Sequence, residues 1–355
     1  EGTALMQMSK IEGSIHEPDT SDSFSQVVHM CLLQLSLKQG LKTFGEAGEN
    51  AAMKEVRQLH DFKTFRPIHA KALSYQQRVD ALSSLIFLKE KSNGDIKGRA
   101  CADGRKQRDK MTKDESTSPT VRIESVFLTS VIEAKENRDV AAVDIRGAFL
   151  HTPQDPNDDT VHMVLKGELC ELMVKAAPEL YTEYVTVGKN GKRMLYVEMQ
   201  KALYGMLKSA LLFYLKLLGD LTKAGFELNP YDPCVANKMV GGKQLTVAWH
   251  VDDLKISHEN PAVVDRFIEY IDGIYPGLTI QRGKELEYLG MTLDYSVKGE
   301  ITFSQVPYIC EMLEEFPEEL GTAAITPATE NLFRVDEDVS APTLSEERSA
   351  IFHQY

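Results

Sequence analysis

Three aspartates are delivered by hydrophobic runs to places where their carboxylates could meet. Asp144 closes a β-branched run and enters a turn, in Val143-Asp144-Ile145-Arg146-Gly147-Ala148-Phe149-Leu150. Asp252 and Asp253 sit at the tip of an apolar hairpin, in Trp249-His250-Val251-Asp252-Asp253-Leu254. Taken singly, neither segment says much. An acid pair at a tight turn is usually solvated, and an aspartate ending a strand often only caps a helix. Both acid sites, however, end hydrophobic strands that could be neighbours in one sheet. Converging carboxylates build a hard-oxygen site suited to Mg²⁺ and not to zinc. Two such ions ~3.5–4 Å apart can stabilise the attacking and the leaving oxygen of a phosphoryl transfer. That chemistry is mainly positioning and charge neutralisation, so few other side chains are obligatory.

The elements that must hold these acids are legible from periodicity and turn residues. Leu85 to Leu88 reads as a strand, Ser92-Asn93-Gly94-Asp95 as a hairpin turn, and Ile96 to Ala102 as the return strand. Ser118-Pro119 reads as a helix start, with Val121, Phe127, Leu128, Val131 and Ile132 as its buried stripe. Ala141 to Ile145, Val161 to Leu165 and Leu195 to Met199 read as short buried strands. The long helix Leu207 to Ala224 follows, closed by Gly225. Cys234 to Val240 and Gln244 to His250 form one hairpin around Gly241-Gly242, and Leu254 to Ser257 returns from the aspartate pair. Pro261 to Ile274 is helical, Glu287 to Tyr295 with Ile301 to Ser304 reads as a hairpin, and Val306 to Phe316 as a helix. Strands and helices alternate without a regular βαβ rhythm, so the expected class is α+β with an antiparallel sheet. Residues 1 to about 50 hold few periodic signals and read as a linker with one helix around Val27 to Leu37. Helix is expected from Met53 onward.

Composition narrows the function classes. The 355 residues carry 43% hydrophobic and 26% charged side chains, enough for a substantial core. No run approaches the ~20 apolar residues of a membrane span, so no membrane partner is expected. The five cysteines (Cys31, Cys101, Cys170, Cys234, Cys310) are scattered, which argues for a reducing compartment and against a structural zinc site. His250 and His258 are the nearest thing to a histidine metal pair and read as ordinary packing or solvent. The net charge of −13 is unevenly spread. Lys89 to Lys113 holds nine Lys/Arg against four acids, whereas Glu311 to Tyr355 holds eleven acids against two arginines. The first stretch is either a solvated loop or a phosphate-facing surface. The chain begins without Met and ends on a helical pattern, so both ends read as cut.

Five ordered motifs carry a resemblance. They are F-L-K-E-K-S-N-G-D-I-K-G-R-A-C-A-D-G-R-K-Q-R (Phe87 to Arg108), V-D-I-R-G-A-F-L, A-L-Y-G-M-L-K-S-A-L-L-F-Y (Ala202 to Tyr214), W-H-V-D-D-L-K-I-S-H (Trp249 to His258) and Y-L-G-M (Tyr288 to Met291). Over Met53 to Tyr355 the chain resembles the reverse transcriptase of copia-type LTR retrotransposons, particularly the branch found in diatoms and other protists. It departs from the usual pattern in three places. Arg146 stands where a small residue or Pro is usual, His250 where Tyr is usual, and Met206-Leu207-Lys208-Ser209 where a nucleotide-contacting Gln is common. Nothing in the chain resembles the RNase H, protease or integrase of such polyproteins.

The resemblance implies a right-handed polymerase fold, α+β with an antiparallel palm sheet. Its divisions would be a linker to residue 52, fingers over 53–140, palm over 141–300, and the start of a thumb or connection over 301–355. Asp144, Asp252 and Asp253 would be catalytic and metal-holding, binding two Mg²⁺ (Mn²⁺ as substitute) with help from the Ile145 carbonyl. Lys97, Arg99 and Arg105 would meet the incoming triphosphate, with Lys208 or Ser209 in place of the missing Gln. Phe149, five residues after Asp144, matches the aromatic gate against ribonucleotides. Tyr288, Gly290 and Met291 match the primer grip; read as residues alone, they are a plain strand with a glycine bulge. The implied partners are an RNA template, a DNA or RNA primer, dNTPs, and the RNase H and integrase of a Pol polyprotein. The implied setting is a cytoplasmic virus-like particle or the nucleus. The alternative is a decayed transposon remnant that binds nucleic acid without catalysis.

Overall fold

A computed structural model describes residues 35–91, 94–112, 116–188, 190–315 and 345. The chain runs β1 (Leu35–Ser36), α1 (Leu37–Asp61), β2 (Phe65–Ile68), α2 (Tyr75–Asp80), β3 (Leu82–Glu90), β4 (Ile96–Ala102), α3 (Ile123–Glu136) and β5 (Asp139–Asp144). It continues through β6 (His162–Lys166), α4 (Glu168–Ala176), β7 (Val185–Val187), β8 (Arg193–Met199), α5 (Ser209–Lys223), β9 (Glu227–Leu228), β10 (Val235–Val240), β11 (Lys243–His250) and β12 (Asp253–His258). Next come α6 (Pro261–Ile274), β13 (Thr279–Arg282), β14 (Glu285–Tyr288), β15 (Met291–Asp294), β16 (Thr302–Ser304) and α7 (Val306–Glu315). The class is α+β, as the irregular alternation of elements predicts.

Residues 33–305 form one compact unit with three sheets. The first orders its strands β1-β3-β6-β8-β2, with β4 added to β3 and β7 to β8. The second is antiparallel throughout, in the order β13-β5-β12-β11-β10-β9. The third is the small meander β14-β15-β16. One hydrophobic cluster lies on the second sheet, centred on Ile145, Phe213, Trp249 and Ile256; another joins α1 and α4 to the first sheet through Val56, Leu88, Met163 and Leu195. α7 belongs to a separate unit, and its Val306, Ile309 and Leu313 are exposed.

Four expectations need correction. α1 begins at Leu37, not near Met53, and is broken by a kink at Gly45, where φ is +52° and ψ −126°. Its inward face is built largely from Gly40, Gly48, Ala51 and Ala52, which carry no strong hydrophobic signal. Small residues are required there, because a Cβ at Gly40 would stand 2.7 Å from Leu88 Cδ1. The expected helix at Val27 to Leu37 lies almost wholly outside the described residues.

α3 begins at Ile123 rather than at Ser118-Pro119, and the Arg122 amide is satisfied by Asp232 at 3.0 Å. Its buried positions are Val126, Ser130, Glu133 and Ala134, while Phe127, Leu128 and Val131 are exposed. The helix presents this partly polar face because Lys255 of β12, itself fully buried, lies beneath it. The Lys255 ammonium donates to Glu133 at 2.6 Å and to Ser130 and Thr129 at 3.0 Å; Tyr295 also donates to Glu133 at 2.6 Å.

The segment Glu287 to Tyr295 is not one strand. Leu289 and Gly290 both have positive φ (51° and 73°), forming a two-residue turn that pairs Tyr288 with Met291. Finally, the expected division at residue 140 does not separate the sheets. β6 and β8, from 162–199, complete the sheet begun by β1, β2 and β3. In the β3–β4 hairpin, Ser92 and Asn93 lie outside the described residues, but the seven-pair register from Ser84↔Ala102 to Glu90↔Ile96 has the strands where the motif predicts.

Candidate active site

Strand register brings the aspartates together. β12 pairs antiparallel with β5 so that Asp253 lies opposite Asp144 and Leu254 opposite Val143. On its other side β12 pairs with β11, His250 opposite Asp253, leaving Val251 and Asp252 as a two-residue turn. Val251 takes φ +57° there, a conformation that a β-branched residue rarely adopts. The Ile145 amide, the first beyond β5, donates to the Asp252 carbonyl at 3.0 Å and ties the turn to the end of that strand. Apolar burial supports this pairing: the β5 run Val140 to Val143 and the β12 residues Leu254 and Ile256 are all in the core.

The acids sense one another. Burial raises the Asp252 pKa, and Asp144 raises it further, while the Arg99 charge and a hydrogen bond from the Tyr204 hydroxyl oppose the rise. Asp253 is pushed up to about 6 by burial and by the nearby Asp252 and Asp144 charges. Three crowded oxygen donors of like charge suit a hard divalent cation in kind. Among the described residues, no three acidic, His or Cys side chains close into a ligand cluster by themselves. Mg²⁺ is commonly held by one or two carboxylates, with water and substrate phosphates completing its shell.

Cations face these acids from β4. Lys97 and Arg99 are exposed on the same side of the hairpin. Burial and the neighbouring Arg99 and Lys91 charges lower the Lys97 pKa, and Glu55 and Asp144 counteract this. The Arg99 guanidinium sits 4.9 Å from the centre of the Tyr204 ring, a cation–π contact. Phe149 follows, buried, its ring 4.5 Å from that of Tyr204 and 6.3 Å from that of Phe213. Phe149 leaves β5 through Gly147, whose φ of +62° starts the short 3-10 turn Ala148–His151.

Tyr204 and Glu55 are the residues that motif reading missed. Tyr204 lies between Phe149 and Arg99 and within electrostatic reach of Asp252. It reaches this place because the 203–207 segment runs against the outer edge of β4, where the Ala102 amide donates to the Tyr204 carbonyl at 2.7 Å. A Cβ at Gly205 would stand 2.0 Å from the Ala102 oxygen, and one at Gly104 2.1 Å from the Gly205 oxygen. The glycines in L-Y-G and A-D-G were the available signal.

Other expected residues are engaged elsewhere. Arg105 folds back on Asp103 at 2.6 Å, and Lys208 pairs with Asp158 at 2.8 Å. Among the described residues, the Ser209 hydroxyl bonds to the Leu203 backbone, at 2.7 and 3.2 Å. None of the three is brought to the carboxylates. Arg146 is exposed and donates to the hydroxyl of Thr279, the residue that β13 sets opposite Asp144, at 3.0 Å. His258 is packed as expected, accepting from the Asn260 amide at 2.9 Å and standing 3.3 Å from the Val240 carbonyl. Tyr288 and Met291 are buried, the Tyr288 hydroxyl 3.4 Å from the Ala248 and Asp253 carbonyls, while Gly290 is exposed at the turn. No helix among the described residues is long and apolar enough to cross a membrane.

Residues 83–329 match the family model described as reverse transcriptase (RNA-dependent DNA polymerase). Two curated relatives are similar. A transposon Ty5-1 protein of Saccharomyces cerevisiae is 26% identical over 129 residues, 36% of this chain and 41% of that protein. The retrovirus-related Pol polyprotein from transposon TNT 1-94 of Nicotiana tabacum is 24% identical over 252 residues, 69% of this chain and 17% of that protein. This chain therefore spans less than half the length of either. Among solved structures, a foamy viral protease-reverse transcriptase in complex with double-stranded DNA aligns at TM-score 0.38 and 13% identity, covering 76% of this chain and 37% of that one. Apo telomerase from Candida tropicalis aligns at TM-score 0.40 and 9% identity, over 84% and 65%.

Proposed function

The chain belongs to the reverse transcriptase (RNA-dependent DNA polymerase) family, of the copia type carried by LTR retrotransposons, and we propose that it extends a primer on an RNA template. The reaction is attack of the primer 3′-hydroxyl on the α-phosphate of a dNTP, with release of pyrophosphate. The observation that carries this reading is the register setting Asp144 opposite Asp253, with Asp252 bonded to the Ile145 amide through its carbonyl and Lys97 and Arg99 facing the acids.

Asp144 and Asp252 would hold two Mg²⁺, or Mn²⁺ in their place, with the Ile145 carbonyl assisting and Asp253 contributing mainly charge. When bound, the ions neutralise charge at the reacting phosphate and prepare the 3′-hydroxyl for attack. Lys97 and Arg99 hold the triphosphate as fixed cationic donors. Tyr204 orients the Asp252 carboxylate, and Phe149, braced by Tyr204 and Phe213, lies beneath the sugar. The Tyr288–Met291 turn, anchored under the Asp253 strand, supports the primer end near Gly290. Within a longer Pol polyprotein the partners would be RNase H and integrase segments, and the setting a cytoplasmic virus-like particle or the nucleus.

Primer extension on an RNA template with Mg²⁺ tests the reading. Asp144→Asn is expected to lose at least about a thousandfold in rate while retaining primer–template affinity. Extension by Asp144→Asn at the wild-type rate refutes the assignment.

A further inference from the structure

α1 lies wholly ahead of residue 83, where the family match begins, yet it touches the site at two places. Among the described residues β4 is an edge strand paired with β3 alone, so its outward amides need partners from elsewhere. The Ala102 amide uses the Tyr204 carbonyl; the Ala100 amide donates to Glu55 Oε1 at 2.8 Å. Gly98, between Lys97 and Arg99, lies on the helix itself: a Cβ there would stand 2.9 Å from the Ala51 carbonyl and 3.4 Å from Glu55 Cβ. One turn further along, Gln58 Nε2 is 2.9 Å from where a Gly147 Cβ would be, beside the turn that follows Asp144.

We propose that Glu55 is a positioning residue for nucleotide binding, fixing the strand that carries Lys97 and Arg99 against α1 through its bond to the Ala100 amide. The working polymerase module then begins at α1 and not at residue 83. This inference rests on the polymerase reading above. The bond falls at the residue immediately after Arg99, so its loss frees the backbone that aims the guanidinium. Glu55 also adds an opposite charge near both cations, which offsets their mutual repulsion. Nothing else among the described residues accepts the Ala100 amide in the bonds observed.

Three full-length variants separate bond from charge. Glu55→Gln keeps an acceptor at the same reach without the charge. Glu55→Asp keeps the charge but falls one methylene short of the amide. Glu55→Ala removes both. Steady-state extension with dTTP should show KM raised roughly tenfold, the effect of one hydrogen bond to a charged group, in Glu55→Ala and Glu55→Asp. Glu55→Gln should restore KM, and kcat and primer–template Kd should stay near wild type in all three. Calorimetric titration of dTTP with Mg²⁺ onto the chain–primer–template complex, with a dideoxy-terminated primer so that no extension occurs, should follow the same order. If Glu55→Ala fails to fold, the Asp and Gln variants decide alone. Wild-type KM and dTTP affinity in Glu55→Asp overturn the inference while leaving an active wild type as a polymerase. Equal loss of kcat, primer–template affinity and melting temperature in every variant also overturns it, showing a purely structural role. A wild type that neither extends primers nor binds dTTP overturns it together with the polymerase reading.

Discussion

Phe149 combines two roles at the residue scale. It packs in the core, and its ring stands 4.5 Å from that of Tyr204, which neighbours Asp252. In the proposed polymerase, a stiff ring under the sugar would exclude a 2′-hydroxyl by clash, which needs no added attraction for the deoxy substrate. Phe149→Ala is expected to narrow the dNTP/rNTP efficiency ratio by at least about tenfold, and Phe149→Tyr to keep it. Parallel single-nucleotide extensions measure both ratios; an unchanged ratio in a folded, active Phe149→Ala removes the gate. Because Phe149 is buried, the Ala change also costs ~3–5 kcal/mol of stability, so the comparison belongs well below the melting temperature. Asp253 makes a separate prediction without metal. Its folded pKa, about 6, lies above the ordinary carboxylate value, so the folded state holds the extra proton. Stability is therefore greatest below about pH 4 as far as this group is concerned, and falls as pH rises through 6. Partial exposure screens the effect to on the order of 1 kcal/mol. Asp253→Asn should flatten the fall in a urea-unfolding series taken in EDTA from about pH 3 to about pH 7, about one pH unit beyond each end of the window. A wild-type profile flat over that range contradicts the crowding.

Lys255 shows at the scale of elements why some of the fold was legible and some was not. That the acid-bearing strands are neighbours was readable because apolar residues precede both acid sites, but their register and the turns at Gly205 and Gly290 were not, since glycine alone does not distinguish a bulge from a turn. α3 misled because its apolar residues Phe127, Leu128 and Val131 suggest a buried stripe, whereas Ser130 and Glu133 occupy it. That inversion depends on a lysine more than a hundred residues away in sequence, which no periodicity in α3 encodes. Glu55 escaped for the same reason: its partner is a backbone amide 45 residues on. The buried pair yields its own test. Lys255→Met should cost ~3–5 kcal/mol, because Glu133 is left buried without its counter-charge, and adding Glu133→Leu should recover most of it. Urea midpoints of the two variants decide. A double variant no more stable than Lys255→Met shows that Tyr295 and Ser130 depend on the carboxylate more than the ammonium does.

Across the whole molecule the net charge is −13, so nucleic-acid affinity depends on where the cations are free to act. The basic stretch is not uniform. Lys106 donates to the Val79 and Ala81 carbonyls, and Lys110 pairs with Asp80 at 2.9 Å. Those lysines are committed to α2 and its exit, whereas Lys89 and Lys91 are exposed at the end of the β3–β4 hairpin. Replacing Lys89 and Lys91 with Ala should therefore flatten the slope of log primer–template affinity against log salt by about 1–2, and the Lys106 and Lys110 pair should change it little. Equal slopes for all variants assign the hairpin lysines to bulk solvent. The interleaved first sheet also sets a timetable for synthesis. Arg66 of β2 faces Glu198 of β8, 132 residues later in the chain. At a ribosome adding ~5–20 residues per second, β2 waits roughly 7–26 s for its neighbour, with its pairing edge open to any other strand. The nascent chain is thus most vulnerable to misassembly before β8 emerges, and chaperone binding should fall sharply once residue 199 clears the exit tunnel.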